Sequence, residues 1–316
     1  MPNPLKPHPL QKGDIIGIIS PASPVVPENL TKGIQYLQNC GYSVQLGDHV
    51  KDSFGFLAGN DIERLRDLHA MFRNPEIKAI FSSRGGYGTP RLLQELDFDL
   101  IRQNPKILMG YSDLTAIQIA IWQKTGLITF SGPMVAVEMK GIDPFTEKGM
   151  WSVLTAVEHK ETFPVEPNNP LEIIVSGKAQ GRLLGGCLSV LVSLLGTPYQ
   201  PGFDGAILIL EEVGEEPFRV DRYFSQLKLA GIFDQVNGVI LGQFVDCEPE
   251  EGKPNFSVSE VIYDYFSRLK VPVIGGFLYG HQSRKLTIPI GVLVEIDTSI
   301  PSVRLLEPGV KTNSKL

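Results

Sequence analysis

The stretch ILMGYSDLTAIQIA, from Ile107 to Ala120, joins a short apolar run to a segment with helical spacing through a glycine and a serine. Ser112 therefore stands at the corner where a buried strand is expected to become a helix. A serine at this corner can be an N-cap, because its side-chain oxygen accepts a hydrogen bond from an N–H group of the first helical turn. The same corner can also expose a nucleophile, so the stretch alone leaves both interpretations open.

The sequence on both sides of this stretch alternates short apolar runs with amphipathic segments. DIIGIIS, KAIFSS and LITFSG are typical of buried strands, whereas NDIERLRDLHAMFRN has helical spacing. This order predicts an α/β domain in which helices cover both faces of a parallel sheet, a three-layer arrangement. Ligands bind beyond the carboxyl ends of the strands in such sheets, and both SSRGGYG and MGYSD are expected there.

A change of rhythm after about residue 140 predicts a second domain. The stretch PVEPNNPLEIIVSGKAQ has the proline and polar content of a connection between domains. We predict an N-terminal α/β domain at 1–150, a linker at 151–173 and a C-terminal α+β domain at 174–316. Several strands are expected in the second domain, in AILILEEV, NGVILGQF, PVIGGF and LTIPIGVLVEIDTS.

The composition disfavours several classes of protein. The 316-residue chain has a formal net charge of -6 and no basic cluster interleaved with aromatics, so no nucleic-acid partner is expected. No apolar stretch reaches the length of a membrane span or resembles a signal peptide, and we expect a cytoplasmic protein without a membrane partner. The scattered cysteines, without CxxC spacing, indicate reduced thiols rather than a disulfide framework or a zinc site.

The histidines decide whether Ser112 can be a nucleophile, because a serine triad needs an imidazole to accept the hydroxyl proton. His281 is the best placed, since GGFLYGHQSRK puts it just past a glycine-rich strand end, although a loop histidine is usually only solvated. The acid is expected where AILILEEV ends, at Glu211 or Glu212, unless this pair only forms a charged turn. The remaining histidines are expected on the surface or on helix flanks: His8, His49, His69 and His159.

Larger blocks of sequence surround these candidates. In chain order they are GDIIGIISPASP, FLAGND, AIFSSRGGYGTPRLL, ILMGYSDLTA, GRLLGGCLSVL, LILEEVGEEPFRVDR and GFLYGHQ. In this order the blocks resemble the LD-carboxypeptidase family of serine peptidases, which includes relatives that confer immunity to microcin-type peptide-nucleotide antibiotics. The resemblance spans nearly the whole chain. The Ser112 block lacks the second glycine of the GxSxG motif of nucleophile elbows. The resemblance therefore rests on the whole set of blocks in their chain order, which is more specific than any one motif.

The resemblance implies a glutamine-amidotransferase-like N-terminal domain and a smaller, partly barrel-like C-terminal domain. It implies a catalytic triad of Ser112, Glu211 and His281, with Glu212 as an ordinary neighbour. The implied reaction is hydrolysis of an L,D-amide bond in murein tetrapeptide, which releases D-alanine during cell-wall recycling and needs no metal ion or organic cofactor. A homodimer is a further expectation from the resemblance.

Other residues are expected around the reacting carbonyl group. The N–H groups of Gly86 and Asp113 are the candidates for the oxyanion hole, since a residue without Cβ lets the substrate carbonyl approach closely. Arg84 is the candidate for binding the terminal carboxylate, because its planar guanidinium can bind both oxygens. A structural ion pair of Arg84 is equally compatible with the sequence, and the role could instead fall to Arg219, Arg222 or Arg284.

Three other functions are compatible with the sequence. An immunity-type peptidase that cleaves an aminoacyl-nucleotide conjugate keeps the fold and changes the substrate. A general esterase of the α/β-hydrolase kind shares the order serine, acid and histidine, although the missing glycine and the separate second domain count against it. A non-catalytic two-domain binder of small molecules would use Ser112 as a helix cap and His281 as a ligand contact.

Overall fold

The chain forms two compact units in the computed structural model, which describes residues 1–155, 162–166, 168–249, 252 and 254–312. The N-terminal unit consists of residues 2–158, 286–291 and 308–316. The C-terminal unit consists of Met1, 159–285 and 292–307. The chain therefore returns to the N-terminal unit after it has built most of the C-terminal one. The predicted domain boundaries after 150 and before 174 stay a prediction.

The first half of the chain alternates strands and helices as the sequence predicts. Its strands are β1 (Ile15–Ile19), β2 (Ser43–Leu46), β3 (Ile77–Ser82), β4 (Ile107–Gly110) and β5 (Thr129–Ser131). Its helices are α1 (Pro27–Asn39), α2 (Asp61–Arg73), α3 (Phe98–Gln103), α4 (Thr115–Thr125) and α5 (Pro144–Thr155). Two 3-10 turns, Thr89–Glu95 and Ser112–Leu114, follow β3 and β4.

The second half of the chain is richer in strands. They are β6 (Glu172–Val175), β7 (Lys178–Cys187), β8 (Ile207–Val213), β9 (Gly238–Val245), β10 (Val273–Gly275), β11 (Ile288–Ile290), β12 (Leu293–Asp297) and β13 (Ser302–Leu305). The helices are α6 (Leu188–Ser193), α7 (Pro217–Leu229), α8 (Ile232–Gln235) and α9 (Val258–Phe266). Since α5 continues to Thr155 and β6 begins at Glu172, regular structure overlaps both ends of the predicted linker.

The sheet of the N-terminal unit has the strand order β2-β1-β3-β4-β5-β11 in the described ranges. Its neighbours are parallel except for β11 and β5. Strand β2 is added to one side of β1, and the later strands β3, β4 and β5 are added one after another on the other side. Right-handed crossover connections therefore put α1 on one face of the sheet and α2, α3 and α4 on the other. Contacts of α3 with both α2 and α4 agree with this placement. The predicted three-layer α/β fold is confirmed.

Strand β11 corrects one expectation about the second domain. The run LTIPIGVLVEIDTS predicts strands of that domain, but Ile288–Ile290 pairs antiparallel with β5 of the N-terminal unit. The residues that follow, Leu293–Asp297, pair with β7 of the C-terminal unit as expected. A short apolar run indicates a buried strand but does not say which sheet edge the strand covers, so the sequence could not assign it.

The sheet of the C-terminal unit has the order β13-β12-β7-β8-β9-β10-β6 in the part of the chain that the structure describes. Strands β7 to β10 run parallel, and β6, β12 and β13 are antiparallel to their neighbours. This curled half-barrel confirms the expected smaller α+β domain with a partly barrel-like sheet. Among the described residues, no helix combines the length and apolar character that a membrane crossing requires.

Candidate active site

Ser112 has a backbone conformation that serine rarely adopts. It begins the 3-10 turn after β4 and has a φ of 65°. Of the described residues other than glycine, only Asp246 also has a positive φ. Holding such a residue in the left-handed region costs roughly 1–3 kcal/mol, and this strain is concentrated at functional sites. Helix α4 has Leu114 as its N-cap, so Ser112 is not the cap of that helix.

Gly85 lies directly against the Ser112 side chain. A Cβ added to Gly85 would be 2.9 Å from Ser112 Cβ and 3.0 Å from Ser112 Oγ, so no larger residue fits without moving the serine. Of the two adjacent glycines in RGGYG, the sequence analysis selects only Gly86 as a candidate. The glycine pair itself is the signal that could have identified Gly85, because two successive glycines allow close approach at both positions.

Helix α4 is fastened to the strand ends beside Ser112. The side chain of Gln118 donates hydrogen bonds to the carbonyl oxygens of Gly110, at 3.0 Å, and Phe130, at 2.8 Å. Gln118 is buried, so these bonds are made away from water, where an unpaired carbonyl would be costly. Helix α4 and the glycine loop therefore both restrict the position of the turn that contains Ser112.

Asp113, the residue after Ser112, is anchored to Thr89. The Asp113 carboxylate accepts a hydrogen bond from the Thr89 N–H at 2.8 Å, and the Asp113 carbonyl accepts one from the Thr89 hydroxyl. Burial raises the pKa of the Asp113 carboxyl, which is 3% exposed. These bonds fix the residue whose N–H is the predicted oxyanion donor. The oxyanion role of Asp113 stays a prediction.

The glycine loop after β3 contacts the loop after β1. Ser23 donates its N–H to the Gly85 carbonyl at 3.3 Å, and its hydroxyl accepts the Tyr87 N–H at 3.1 Å. Gly86 lies between these two bonds with a φ of 114°, and an added Cβ would collide with the Ser23 side chain. The strand order reverses between β1 and β3, which is where α/β sheets bind ligands. The oxyanion role of Gly86 stays a prediction.

Arg84 opens this loop and stays a candidate for binding a carboxylate. Its Nη1 donates to the Pro24 carbonyl at 3.2 Å, and its guanidinium forms no ion pair with a described residue. The structural ion pair that the sequence left open is therefore absent from the described part of the chain. Two of the alternative arginines are paired with carboxylates: Arg219 with Glu215 at 3.5 Å and Arg284 with Glu166 at 2.8 Å.

Glu211 and His281 are in direct contact in the C-terminal unit. His281 Nδ1 lies 2.7 Å from Glu211 Oε2, and the side chains of Glu211 and His281 are 0% and 15% exposed. A buried carboxylate at this distance fixes the imidazole orientation and favours the tautomer with its proton on Nδ1. In that tautomer Nε2 is the nitrogen that can accept a proton, so the pair has the chemistry of a base with its orienting acid.

Two glycines make the space that Glu211 occupies. A Cβ added to Gly280, whose φ is 125°, would lie 2.7 Å from Glu211 Oε2. A Cβ added to Gly242 would lie 3.2 Å from Glu211 Cβ and would collide with the Tyr279 carbonyl oxygen. Glu211 can pack this closely only because Gly242 and Gly280 have no side chains.

Glu212 is buried too and has a different set of partners. Its carboxylate accepts the N–H groups of Ser189, at 2.7 Å, and Val213, at 2.9 Å. Successive residues of a strand face opposite sides, which explains why only Glu211 reaches His281. Burial raises the pKa of the Glu212 carboxyl. Glu212 thus binds the start of α6, and its expected place outside the triad stays a prediction.

The other described histidines lie outside this arrangement, and His159 lies outside the described residues. His49 belongs to the one group of possible metal ligands found in the described ranges: its ligand atom and those of Asp52 and Glu63 lie within 4.8 Å of one another. The absence of a metal from the reaction stays a prediction. The contacts of these histidines are His8 with Lys311, His49 with Asp52, and His69 with the N–H of Asp97.

The chain matches family models over most of its length. Residues 16–132 match the model described as the LD-carboxypeptidase N-terminal domain, and residues 180–296 match the LD-carboxypeptidase C-terminal domain. The chain is 40% identical over 308 residues to a probable murein peptide carboxypeptidase of Bacillus subtilis, and the match covers 96% of this chain and 95% of that protein.

Solved structures agree with these matches. The microcin C7 self-immunity protein MccF in its wild-type apo state has a TM-score of 0.90 at 30% identity, over 98% of this chain and 100% of that one. The muramoyltetrapeptide carboxypeptidase of Oxalobacter formigenes has a TM-score of 0.82 at 31% identity, over 92% of this chain and 97% of that one.

Proposed function

Because the chain belongs to the LD-carboxypeptidase family and is a peptide hydrolase, we propose that Ser112, Glu211 and His281 act together as its catalytic triad. The proposed reaction is hydrolysis of the L,D-amide bond of murein tetrapeptide, with release of the terminal D-alanine in cytoplasmic cell-wall recycling. The observation that carries this proposal is the 2.7 Å contact between His281 Nδ1 and the fully buried Glu211 carboxylate.

The proposed triad takes Ser112 from the N-terminal unit and the Glu211–His281 pair from the C-terminal unit. The chain returns to the N-terminal unit soon after His281, because Ile288 follows 7 residues later and pairs with Ser131 of β5. This connectivity supports the proposal that one site uses residues of both units.

The first half of the proposed reaction is acyl transfer to Ser112. His281 Nε2 accepts the Ser112 hydroxyl proton, and the Ser112 oxygen attacks the carbonyl of the L,D-amide. Glu211 accepts the hydrogen bond from His281 Nδ1 and stabilises the imidazolium that forms. The imidazolium then gives its proton to the departing D-alanine amine as the C–N bond breaks, which leaves an ester on Ser112.

The second half of the proposed reaction regenerates the serine. His281 Nε2 accepts a proton from water, the resulting hydroxide attacks the ester carbonyl, and the C–O bond to Ser112 breaks as Ser112 regains its proton. The N–H groups of Gly86 and Asp113 hold the oxyanion in both halves. Loss of one such donor typically raises the barrier by about 3–4 kcal/mol. None of these steps uses a metal ion or an organic cofactor.

Arg84 is our candidate for binding the terminal carboxylate of the peptide. Arg84 directly precedes Gly85, which contacts Ser112, and its guanidinium has no carboxylate partner among the described residues. We expect Arg84→Ala to raise KM for the tetrapeptide about tenfold or more while kcat changes less, because the lost bond contributes to binding before and during reaction. Steady-state kinetics test this, and an unchanged KM would exclude the role.

A second candidate function is supported by the likeness to MccF. That protein is described as a self-immunity protein, and one of its solved structures is a complex with aspartyl sulfamoyl adenosine, at a TM-score of 0.90. The same triad could hydrolyse an aminoacyl-nucleotide or related peptide conjugate. The two candidates share the acyl transfer to Ser112 and differ in the leaving group, which is D-alanine in the first and the nucleotide part of the conjugate in the second.

Comparison of substrates tests the proposed function. We expect hydrolysis of an L,D-tetrapeptide, little hydrolysis of its L,L isomer or of a simple ester, and slower cleavage of an aminoacyl sulfamoyl nucleoside. A preference for the nucleoside conjugate would favour the immunity candidate. Preference for the ester would indicate a general esterase, whereas turnover of none of the four, with no labelling of Ser112 by a serine-reactive probe, would indicate a binder.

The cellular setting and assembly are part of the same proposal. We propose a cytoplasmic enzyme whose partner is a small peptide substrate, with neither nucleic acid nor membrane as a partner. The net charge of -6 supports the exclusion of nucleic acid. We also propose a homodimer, which sedimentation at micromolar concentration would detect.

A further inference from the structure

Gln243 joins the two segments that carry Glu211 and His281. It lies in β9, beside strand β8, which contains Glu211. The Gln243 N–H donates to the Tyr279 carbonyl at 2.8 Å, and the Gln243 side-chain Nε2 donates to the Phe277 carbonyl at 3.2 Å. One residue therefore binds both ends of segment 277–279, and His281 follows two residues later.

A bulge in β9 places Gln243 at this position. The pairing of β8 with β9 shifts between Leu210 and Glu212, so that Gly242 and Gln243 together face Glu211. A bulge changes the direction of the side chains on the strand that contains it, and bulges are common next to active sites. Past the end of β10, segment 277–279 continues beside β9 through its bonds to Gln243 and through the Phe277 N–H, which donates to the Leu241 carbonyl at 3.2 Å.

We infer that Gln243 is a positioning residue for the proposed triad: its side-chain amide fixes segment 277–279 and thereby holds the His281 imidazole against Glu211. The inference rests on the proposed function. A Cβ at Gly280 would lie 3.3 Å from the Gln243 carbonyl oxygen and 2.7 Å from Glu211 Oε2, so the turn into His281 has little spare room. A displacement of about 1 Å of a reacting group can cost about 10²-fold in rate.

Gln243→Met tests the inference, because methionine keeps the length of the side chain and removes the donor. We expect kcat to fall by about 10-fold to 100-fold with KM within about twofold, since Gln243 orients the base and does not bind substrate. The nuclear magnetic resonance signal of the His281 Nδ1 proton, which the hydrogen bond to Glu211 shifts downfield, should weaken or move. The melting temperature should stay close to that of the unmodified protein.

The matched control is Gln180→Met in β7 of the same sheet. Gln180 Nε2 also donates a hydrogen bond, to Glu295 at 2.7 Å, but Gln180 is exposed and lies seven residues along β7 from Cys187, which is the residue that pairs with Glu211. This variant should keep kcat and the Nδ1 signal. A Gln243→Met protein with unchanged kcat and an unchanged Nδ1 signal would overturn the inference.

A second variant keeps the inference testable if Gln243→Met does not fold. Gln243→Glu preserves the shape and puts an acceptor against the Phe277 carbonyl, so it should lower kcat at least as much. Unfolding of both variants would assign Gln243 a structural role and refute the positioning role. If the unmodified protein hydrolyses none of the substrates, the proposed function fails, and the Nδ1 signal of the variants still decides whether Gln243 positions His281.

Discussion

The Ser112 corner and the Glu211–His281 pair are built in different ways. Ser112 follows its strand directly and is held in a left-handed conformation, with a φ of 65°. Glu211 and His281 lie 70 residues apart and meet at 2.7 Å in a space bounded by glycines. The first region depends on backbone strain at one residue, and the second depends on long-range register. The nucleophile is thus placed by a local turn and the base by the sheet around it.

The largest expected effect tests whether the two regions work as one unit. Ser112→Ala and His281→Ala should each lower kcat by about 10⁴-fold to 10⁶-fold, and the double variant should be no worse than the more damaged single variant. Release of D-alanine from an L,D-tetrapeptide measures this. His49→Ala, at a half-buried histidine paired with Asp52, is the control and should retain activity. If the loss of kcat in the double variant equalled the product of the two single losses, the two regions would act separately.

The adjacent glutamates separate a catalytic effect from a structural one. Glu211→Gln should lower kcat by about 10⁴-fold, because glutamine favours the wrong imidazole tautomer or a misplaced ring. Glu212→Gln should cost about 1–3 kcal/mol of unfolding free energy, since its amide group would face an N–H that the carboxylate now accepts. Its kcat should stay within about tenfold. Steady-state kinetics and denaturant unfolding of both variants measure these effects. A large loss of kcat in Glu212→Gln with a small one in Glu211→Gln would assign the catalytic acid to Glu212.

Gly85→Ala tests how closely the glycine loop controls Ser112. The added Cβ would lie 3.0 Å from Ser112 Oγ, so we expect the serine to move and kcat to fall by about 10²-fold. Gly141→Ala is the matched control, because no atom lies within 4 Å of a Cβ added there. Equal activity of the two variants would mean that the Ser112 corner tolerates displacement. Tetrapeptide hydrolysis at saturating substrate measures the difference.

The smallest effect concerns the strain at Ser112 itself. Ser112→Gly should gain roughly 1 kcal/mol of unfolding free energy relative to Ser112→Ala, since glycine adopts a φ of 65° without the Cβ penalty. Thermal unfolding should show a melting temperature about 1–3 °C higher for the glycine variant. Equal melting temperatures would indicate that the corner is unstrained. Both variants lack the hydroxyl, so activity does not enter the comparison.

Much of the arrangement around the candidate site could be predicted from local patterns. The βα alternation places both the glycine loop and the Ser112 corner after parallel strands, and the chain order of the blocks selects His281 among the histidines. Gly85 and Gln243 escaped prediction. Their importance lies in atoms that are close only after folding, namely Ser112 Oγ for Gly85 and the Phe277 carbonyl for Gln243.

The sequence by itself determined the alternation of elements, the two-domain character and the residue types available for a serine triad, because these follow from hydrophobic period and local turn chemistry. Only the tertiary structure decided that Ile288–Ile290 joins the N-terminal sheet and that Glu211 rather than Glu212 contacts His281. The reason is physical: strand pairing and the bulge in β9 are set by packing between residues far apart in the chain, and a change of one position in register turns every side chain to the opposite face.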